Sequence, residues 1–327
     1  MSRQTDRGLA AVRKYYDATR LDYRFLWLNR RDQAMHFGYW SPGIGDHSES
    51  LVEMNRVLAD RVGIGPGDTV FDAGCGVGGS AIWLALERGA RVMGLSPVPR
   101  QVADARRNAR RSGAGDAVSF AVGDYAATDF DAGRFSVAWF LESLCHAPDK
   151  AAVLREAYRL LAPGGRIAIC EYVRTRRPLD VGGEALLGAW LHNWAIPDIA
   201  TAEELTDWAR DAGFDDIEAT DVTDAVRPSL ERLHRITARL AGAEAALHRL
   251  HLRSDWAHAN TVGAFNQLPA LDQGLWRYLI LSARRPDAGP GATLAAQTPR
   301  SSKENAPWPS PASRRSAPRP RRASRMP

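Results

Sequence analysis

The stretch that decides the fold runs from Thr69 to Gly79 and reads TVFDAGCGVGG. A short apolar strand is followed by a glycine-rich turn, and the turn leads into GSAIWLALERG, which has the pattern of a helix. Glycine lets the backbone approach a ligand without interference from a Cβ atom, and the N–H groups at a helix start attract an anionic group. The stretch therefore predicts a ligand-binding turn at the end of a strand.

Strand and helix patterns alternate on the C-terminal side of this turn. The next strands are RVMGLS, AVSFAVGD, RFSVAWFLES and RIAICEYV, and helical segments separate most of them. This alternation predicts an α/β fold with a doubly wound parallel sheet that helices cover on both faces. Beyond Arg177, FDDIEATDVT and GLWRYLILSARR are two further strands, and we expect the last to be antiparallel because no βαβ crossover precedes it.

The chain divides into three regions by pattern. Residues 1–62 form a helical and aromatic lid, with helices over 5–30 and 47–62 around the loop MHFGYWSPG at 35–43. Residues 63–286 form the α/β domain, with a helical cap inserted at about 178–200 and 228–266. Residues 287–327 are rich in Pro, Ser and Arg and have no apolar periodicity, so we expect them to be disordered.

The positive charge of the chain lies in its tail. The net charge is +5, and residues 287–327 hold eight Lys/Arg against two Asp/Glu, so residues 1–286 sum to −1. A near-neutral body argues against a nucleic-acid partner, and we interpret the basic tail as solvated. No apolar run reaches the roughly 20 residues of a membrane span, and no signal-peptide pattern is present. We therefore expect a cytoplasmic protein without stable membrane insertion and without a metal site, and the sequence leaves open whether it forms a homo-oligomer.

Two classes of cofactor fit a glycine turn of this kind. Gly74, Gly76 and Gly79 match the G-x-G-x-x-G pattern of dinucleotide-binding proteins, which alone is a weak signal. However, the second strand ends at Ser96, where such proteins place an acid for the ribose. Asp72 instead ends the first strand, where it can accept hydrogen bonds from a cationic aminoacyl group.

Three motifs resemble those of the class I S-adenosylmethionine (SAM)-dependent methyltransferases. They are VFDAGCGVGG, VGDY at 122–125 and LLAPGGRIAI at 160–169. The ribose-binding acid is replaced by Gly94-Leu95-Ser96 and Gln101, as in the sterol, tocopherol and terpenoid branch of the methyltransferase type 11 family. The resemblance covers most of residues 10–286 and is sharp over 15–175. It implies SAM as cofactor, bound by Tyr16, Asp72, Gly74, Cys75, Gly76, Leu95, Ser96, Gln101, Asp124, Tyr125 and Leu141.

The segment FLESLCHAPD, residues 140–149, ends the fourth strand and is similar to a stretch of the sterol C-methyltransferases. The resemblance implies Glu142 and His146 as catalytic residues. For Glu142 the alternative is a hydrogen bond to the lid backbone, and for His146 it is a role in orienting Glu142 or a loop carbonyl. The aromatic lid resembles that of the same families. The residues that we expect to contact the acceptor are Tyr23, Trp27, His36, Tyr39, Trp40, Trp190 and Trp194, although any of these Trp residues could equally be ordinary core.

Taken together, the sequence predicts methylation of a small molecule, most specifically of a carbon in an isoprenoid or prenylated acceptor. The alternatives are an O- or N-methyltransferase of a phenol, quinol or other secondary metabolite and, with less support, a nucleic-acid methyltransferase. Arg174, Arg176 and Arg177 follow the fifth strand and could meet a diphosphate, but a solvated turn explains them as well.

Overall fold

The computed structural model describes residues 3–22 and 33–287. The expected contact residues Tyr23 and Trp27, the last part of the predicted helix over 5–30, and residues 288–327 lie outside the described residues. The helices are α1 (Arg3–Ala18), α2 (Arg20–Asp22), α3 (His47–Arg61), α4 (Gly79–Arg88), α5 (Pro99–Ser112), α6 (Lys150–Leu160), α7 (Val181–Asn193), α8 (Ala202–Ala212), α9 (Thr223–Arg249) and α10 (Asp255–Asp272).

The sheet has seven strands in the order β3-β2-β1-β4-β5-β7-β6. The strands are β1 (Thr69–Ala73), β2 (Arg91–Ser96), β3 (Val118–Val122), β4 (Phe135–Leu141), β5 (Leu161–Arg174), β6 (Asp215–Asp221) and β7 (Trp276–Arg284). The first five are parallel, and β7 is antiparallel to both β5 and β6. The predicted parallel core with an antiparallel last strand is therefore confirmed.

Alternate residues of each central strand enter two different hydrophobic clusters. In β1, Val70 belongs to the cluster under α3, α4, α5, α7 and α10, and Phe71 to the cluster under α6 and α8. The same alternation holds for Ile280 and Leu281 in β7. Because successive side chains of a strand point to opposite faces, a sheet with apolar residues at every position must be covered on both faces.

Two predicted boundaries differ from the structure. The first helix is interrupted after Ala18, where the Thr19 hydroxyl donates to the Tyr15 carbonyl oxygen at 2.7 Å. The sequence DKAAVLREAYRLLAPGG predicts a helix that the Pro-Gly-Gly turn closes, but α6 already ends at Leu160. Extended backbone begins at Leu161, and the PGG turn belongs to the start of β5. Neither difference moves a residue of the glycine turn.

The N-terminal region packs against the carboxyl ends of the strands. The loop after residue 33 is fixed by backbone hydrogen bonds from Tyr39 to Ser50 and from Trp40 to Ala225, both at 2.8 Å. Among residues 3–22 and 33–287, no helix is both long and apolar enough to cross a membrane.

Candidate active site

The glycine turn after β1 is packed closely against the turn after β4. Gly74 has φ +94°, and a Cβ atom at this position would lie 2.4 Å from Cβ of Ser143. The N–H groups of Gly74 and Cys75 both donate to the Leu95 carbonyl oxygen, at 2.8 and 3.0 Å. Leu95 therefore supports the turn from β2, and its buried side chain does not line the cavity. This close approach requires glycine at position 74.

A cavity of about 230 Å³ opens at the carboxyl ends of β1, β2, β3 and β4. It lies at the switch point of the sheet, where ligands of doubly wound folds bind. The cavity brings together all of the expected cofactor residues except Leu95, namely Tyr16, Asp72, Gly74, Cys75, Gly76, Ser96, Gln101, Asp124, Tyr125 and Leu141. The segment from Gln33 to His36 and the α1 residues Leu9, Val12 and Tyr16 also line this cavity.

Two carboxylates on the cavity wall have an oxygen without an internal partner. Within the described residues, Oδ2 of Asp72 and Oδ2 of Asp124 are buried and accept no hydrogen bond. Burial raises the pKa of Asp72 to about 7. The ammonium group of SAM would supply donors to such an acid, and the adenine amino group would do the same for Asp124. The residues present therefore fit SAM, with Ser96 and Gln101, which are joined at 2.8 Å, at the ribose.

Glu142 is a half-buried carboxylate directly after β4, and its φ of +50° is a conformation that non-glycine residues rarely adopt. Its Oε1 accepts the Phe37 N–H at 2.6 Å and the Tyr278 hydroxyl at 2.8 Å, and its Oε2 accepts the Tyr172 hydroxyl. Burial raises the pKa of Glu142 to about 7, although these hydrogen bonds oppose the rise. Its bond to the Phe37 N–H is the contact with the lid backbone that the sequence left open.

His146 lies on the 3₁₀ turn Leu144–His146 that follows β4. Burial lowers the pKa of His146 to about 4, so the imidazole is neutral at pH 7. Its Nδ1 lies 3.3 Å from the Ala195 carbonyl oxygen, which can only accept, so Nδ1 carries the proton. Its Nε2 then accepts from the Tyr16 hydroxyl, 3.1 Å away. His146 thus presents an unprotonated nitrogen beside the cofactor cavity.

A second, inner chamber lies behind Tyr16. It holds about 20 Å³, close to the room needed for one water molecule. Tyr16, Met35, Glu142 and His146 line both spaces and so form the wall between them. The rest of the chamber wall consists of three aromatic residues, Tyr15, Tyr172 and Trp194, together with Cys145 and Ile196.

The expected acceptor residues are distributed over several places. His36 lines the cofactor cavity, and Trp194 lines the inner chamber. Trp190 is fully buried, with its ring 4.9 Å from Trp276, and lines neither space. Tyr39 and Trp40 also line neither space.

Several residues of the site were not identified from the sequence. Tyr172 and Tyr278, whose hydroxyl groups donate to Glu142, are two of them. Polar atoms inside the apolar strands β5 and β7 were the available signal, because a buried hydroxyl needs a partner. By contrast, the arginines after β5 contact acids. Arg174 contacts Glu184 and Asp198, and Arg177 contacts Asp198 and Glu204, away from the cavity.

Comparison with known proteins agrees with this geometry. Residues 71–169 match the family model described as a methyltransferase domain. The 27-O-demethylrifamycin SV methyltransferase of Amycolatopsis mediterranei is 31% identical over 281 residues, which is 84% of this chain and 97% of that protein. Methyltransferase GfsG of Streptomyces halstedii is 33% identical over 67% of this chain and 77% of that protein.

The chain belongs to the class I SAM-dependent methyltransferases. The methyltransferase is also 36% identical to the sterol 24-C-methyltransferase of Eremothecium gossypii, but over 50% of this chain and 43% of that protein. Among solved structures, the cyclase SpnF superposes with a TM-score of 0.70 at 25% identity, covering 85% of this chain and 96% of that one. The prediction of a SAM-dependent methyltransferase is confirmed.

Proposed function

We propose that this methyltransferase transfers the methyl group to a carbon of an apolar, isoprenoid-type small molecule. The observation that carries the proposal is the Glu142 carboxylate in the wall of a chamber lined by the rings of Tyr15, Tyr172 and Trp194, next to the cofactor cavity. The chamber in its present form has room for about one water molecule. Entry of an acceptor therefore requires that the wall side chains Tyr16 and Met35 move.

The chamber suits the charge that carbon methylation creates. Bound SAM supplies a methyl group that its sulfonium already activates. When the π electrons of an olefin form the new carbon–carbon bond, the carbon–sulfur bond breaks and the acceptor is left as a cation. Ring faces such as those of Tyr172 and Trp194 stabilise a cation by about 0.5–2 kcal/mol each. An ionised Glu142 adds a favourable field, and loss of a proton to Glu142 or His146 restores a neutral olefin.

A second candidate is O-methylation of a hydroxylated secondary metabolite. The neutral His146, with Nε2 as proton acceptor, is the group that would remove a hydroxyl proton as the oxygen is methylated. The relative that aligns over almost its entire length is named as an O-demethylrifamycin methyltransferase. In this reaction Glu142 would mainly hold the lid loop through the Phe37 N–H.

Product analysis separates the two reactions. The full chain is supplied with SAM carrying a ¹³C-labelled methyl group and with geraniol, farnesol, geranyl diphosphate and a prenylated quinol as separate acceptors. Carbon methylation predicts a ¹³C signal of a methyl group bonded to carbon, on geraniol or farnesol among these acceptors. A labelled methyl group found only on oxygen would overturn the proposal in favour of the second candidate.

The turnover of two matched variants also distinguishes carbon methylation from O-methylation. Glu142→Gln removes a charge at constant size, and His146→Gln removes the proton-accepting nitrogen. Carbon methylation predicts the larger loss of turnover for Glu142→Gln, because the carboxylate faces the developing cation. O-methylation predicts the larger loss for His146→Gln. The SAH affinity of both variants serves as the control for an intact cofactor cavity.

A further inference from the structure

Two buried charged side chains hold the turn that carries His146. Lys150 is the first residue of α6, and Glu171 lies near the carboxyl end of β5. Their exposed fractions are 6% and 1%. Neither residue lines the cofactor cavity or the inner chamber, and neither has a role in the reaction proposed above.

Glu171 binds the turn from the side of the sheet. Its Oε2 accepts the Cys145 N–H at 2.7 Å, and its Oε1 accepts the N–H of Tyr172 at 3.0 Å. Cys145 directly precedes His146, so this carboxylate fixes the peptide plane next to the imidazole. An apolar side chain at position 171 would leave the buried Cys145 N–H without an acceptor, which is unfavourable in the folded state.

Lys150 binds the same turn from the opposite side. Its Nζ donates to the carbonyl oxygens of Cys145 at 3.4 Å and Ala147 at 3.0 Å. It also donates to the Asp198 carbonyl oxygen at 2.8 Å. Asp198 lies in the loop after α7, three residues beyond Ala195. The carbonyl oxygen of Ala195 accepts the hydrogen bond from Nδ1–H of His146. The ammonium group therefore joins the turn that bears His146 to the loop that binds its ring.

Burial in the protein interior disfavours the charged forms of both Lys150 and Glu171. Burial raises the pKa of Glu171 to about 8 and lowers the pKa of Lys150. Buried charged groups are frequently less stabilising than apolar residues of similar volume. Their joint effect here is a fixed geometry for three successive residues, Cys145 to Ala147.

We propose that Lys150 and Glu171 are positioning residues that hold His146 with Nδ1 protonated and with Nε2 directed at the wall between the cofactor cavity and the inner chamber. The inference rests on the proposed function only in assigning His146 to the acceptor side. It holds equally for methylation of carbon and of oxygen, since either reaction releases one proton.

The tautomer of His146 can be measured without any acceptor. The full chain is labelled with ¹⁵N-histidine, saturated with SAH, and studied by NMR, and the His146 signals are assigned by their loss in His146→Gln. The wild type should show a protonated Nδ1 and an unprotonated Nε2. In Lys150→Met, which keeps the aliphatic stem and loses three donated hydrogen bonds, we expect a mixture of tautomers.

The matched control is Arg159→Met on the same helix. Arg159 also donates to backbone carbonyl oxygens, those of Thr128 at 3.3 Å and Phe130 at 2.8 Å, but it binds a loop away from His146. It should lose stability without any change in the His146 signals. Unchanged His146 signals in folded Lys150→Met, or an equal change in Arg159→Met, would overturn the proposal.

A second pair of variants tests the Glu171 side and covers the case in which Lys150→Met does not fold. Glu171→Gln keeps a carbonyl oxygen for the Cys145 N–H and should retain the wild-type tautomer, whereas Glu171→Leu should not. With an acceptor that the product analysis identifies, Glu171→Leu should lose roughly tenfold or more in kcat, with unchanged SAH affinity. Identical tautomers in the two variants would contradict the assignment of Glu171.

Discussion

Asp72 is buried near the end of β1, and Glu142 is half-buried directly after the neighbouring strand β4. Burial raises the pKa of each carboxyl to about 7. Their surroundings differ. Oδ2 of Asp72 accepts no hydrogen bond within the described part of the chain, whereas Glu142 accepts three, from Phe37, Tyr172 and Tyr278. Asp72 therefore depends on a ligand to satisfy its charge, and Glu142 is satisfied by the protein itself.

The largest expected effect lies on the Glu142 side. Glu142→Gln keeps the size of the side chain and removes the charge, so turnover should fall by roughly 10²–10⁴-fold, as for a lost acid–base or electrostatic group. The affinity for SAH, measured by calorimetry, should stay unchanged, because Glu142 already has its partners within the chain. A lower melting temperature with near-normal turnover would show that Glu142 has only a structural role, in which it binds the lid loop to the sheet.

On the cofactor side, Gly76→Val should weaken SAH binding on the order of 100-fold. Gly76 has φ +51°, which a β-branched residue avoids, and the new side chain would occupy the cavity close to Met35. Calorimetry of SAH binding is the measurement. The control is Gly113→Val, which has similar strain at φ +82° with no neighbouring atom within 4 Å. If wild type and a folded Gly76→Val variant bind SAH equally, the glycine turn is not the cofactor-binding site.

The pH dependence of SAH binding should come from Asp72. A carboxyl with a pKa of about 7 is mostly protonated at pH 6 and mostly ionised at pH 8, and the ammonium of SAH prefers the ionised form. Affinity should therefore rise about tenfold from pH 6 to pH 8. Asp72→Asn should bind SAH weakly at both pH values, with little slope. If the SAH affinity of Asp72→Asn still rises with pH, the titrating group is not Asp72.

The stability of the cofactor-free chain should change in the opposite direction. Because the folded pKa of Asp72 lies above the ordinary value of 3.8, the folded state binds the proton more tightly than the unfolded state. The free energy of unfolding contributed by this group is then highest below pH 4 and decreases as pH rises to about 7. Urea unfolding at several pH values should show a smaller decrease for Asp72→Asn than for the wild type.

The smallest expected effect is that of removing residues 287–327, the tail rich in Pro, Ser and Arg. A chain ending at Pro286 should keep its melting temperature and turnover, since a tail of this composition buries little surface. Only Asp287 of this segment is described, and it contacts Arg284. A marked loss of turnover after this removal would show that the tail contributes to the acceptor site.

The two carboxylates also show what a sequence can predict. The glycine turn, Asp72 and Asp124 were identified because each follows directly from a strand end, which is a local pattern. The partners of Glu142 come from positions 37, 172 and 278, and no local pattern joins such distant residues. Trp190 and Trp194 look alike in the sequence, yet only Trp194 reaches the chamber. Which side of a helix faces a cavity depends on tertiary packing.

The insertion of β7 between β5 and β6 has a consequence for biosynthesis. Since β7 spans Trp276–Arg284, a ribosome completes most of the sheet before it makes the strand that pairs with both β5 and β6. Until then the nascent chain exposes the edge of β5, and exposed strand edges invite pairing with other chains. Tyr278 arrives with the same strand. This partner of Glu142 is therefore made after the other six strands of the sheet, and a nascent chain that has not reached β7 lacks both the complete sheet and the complete site.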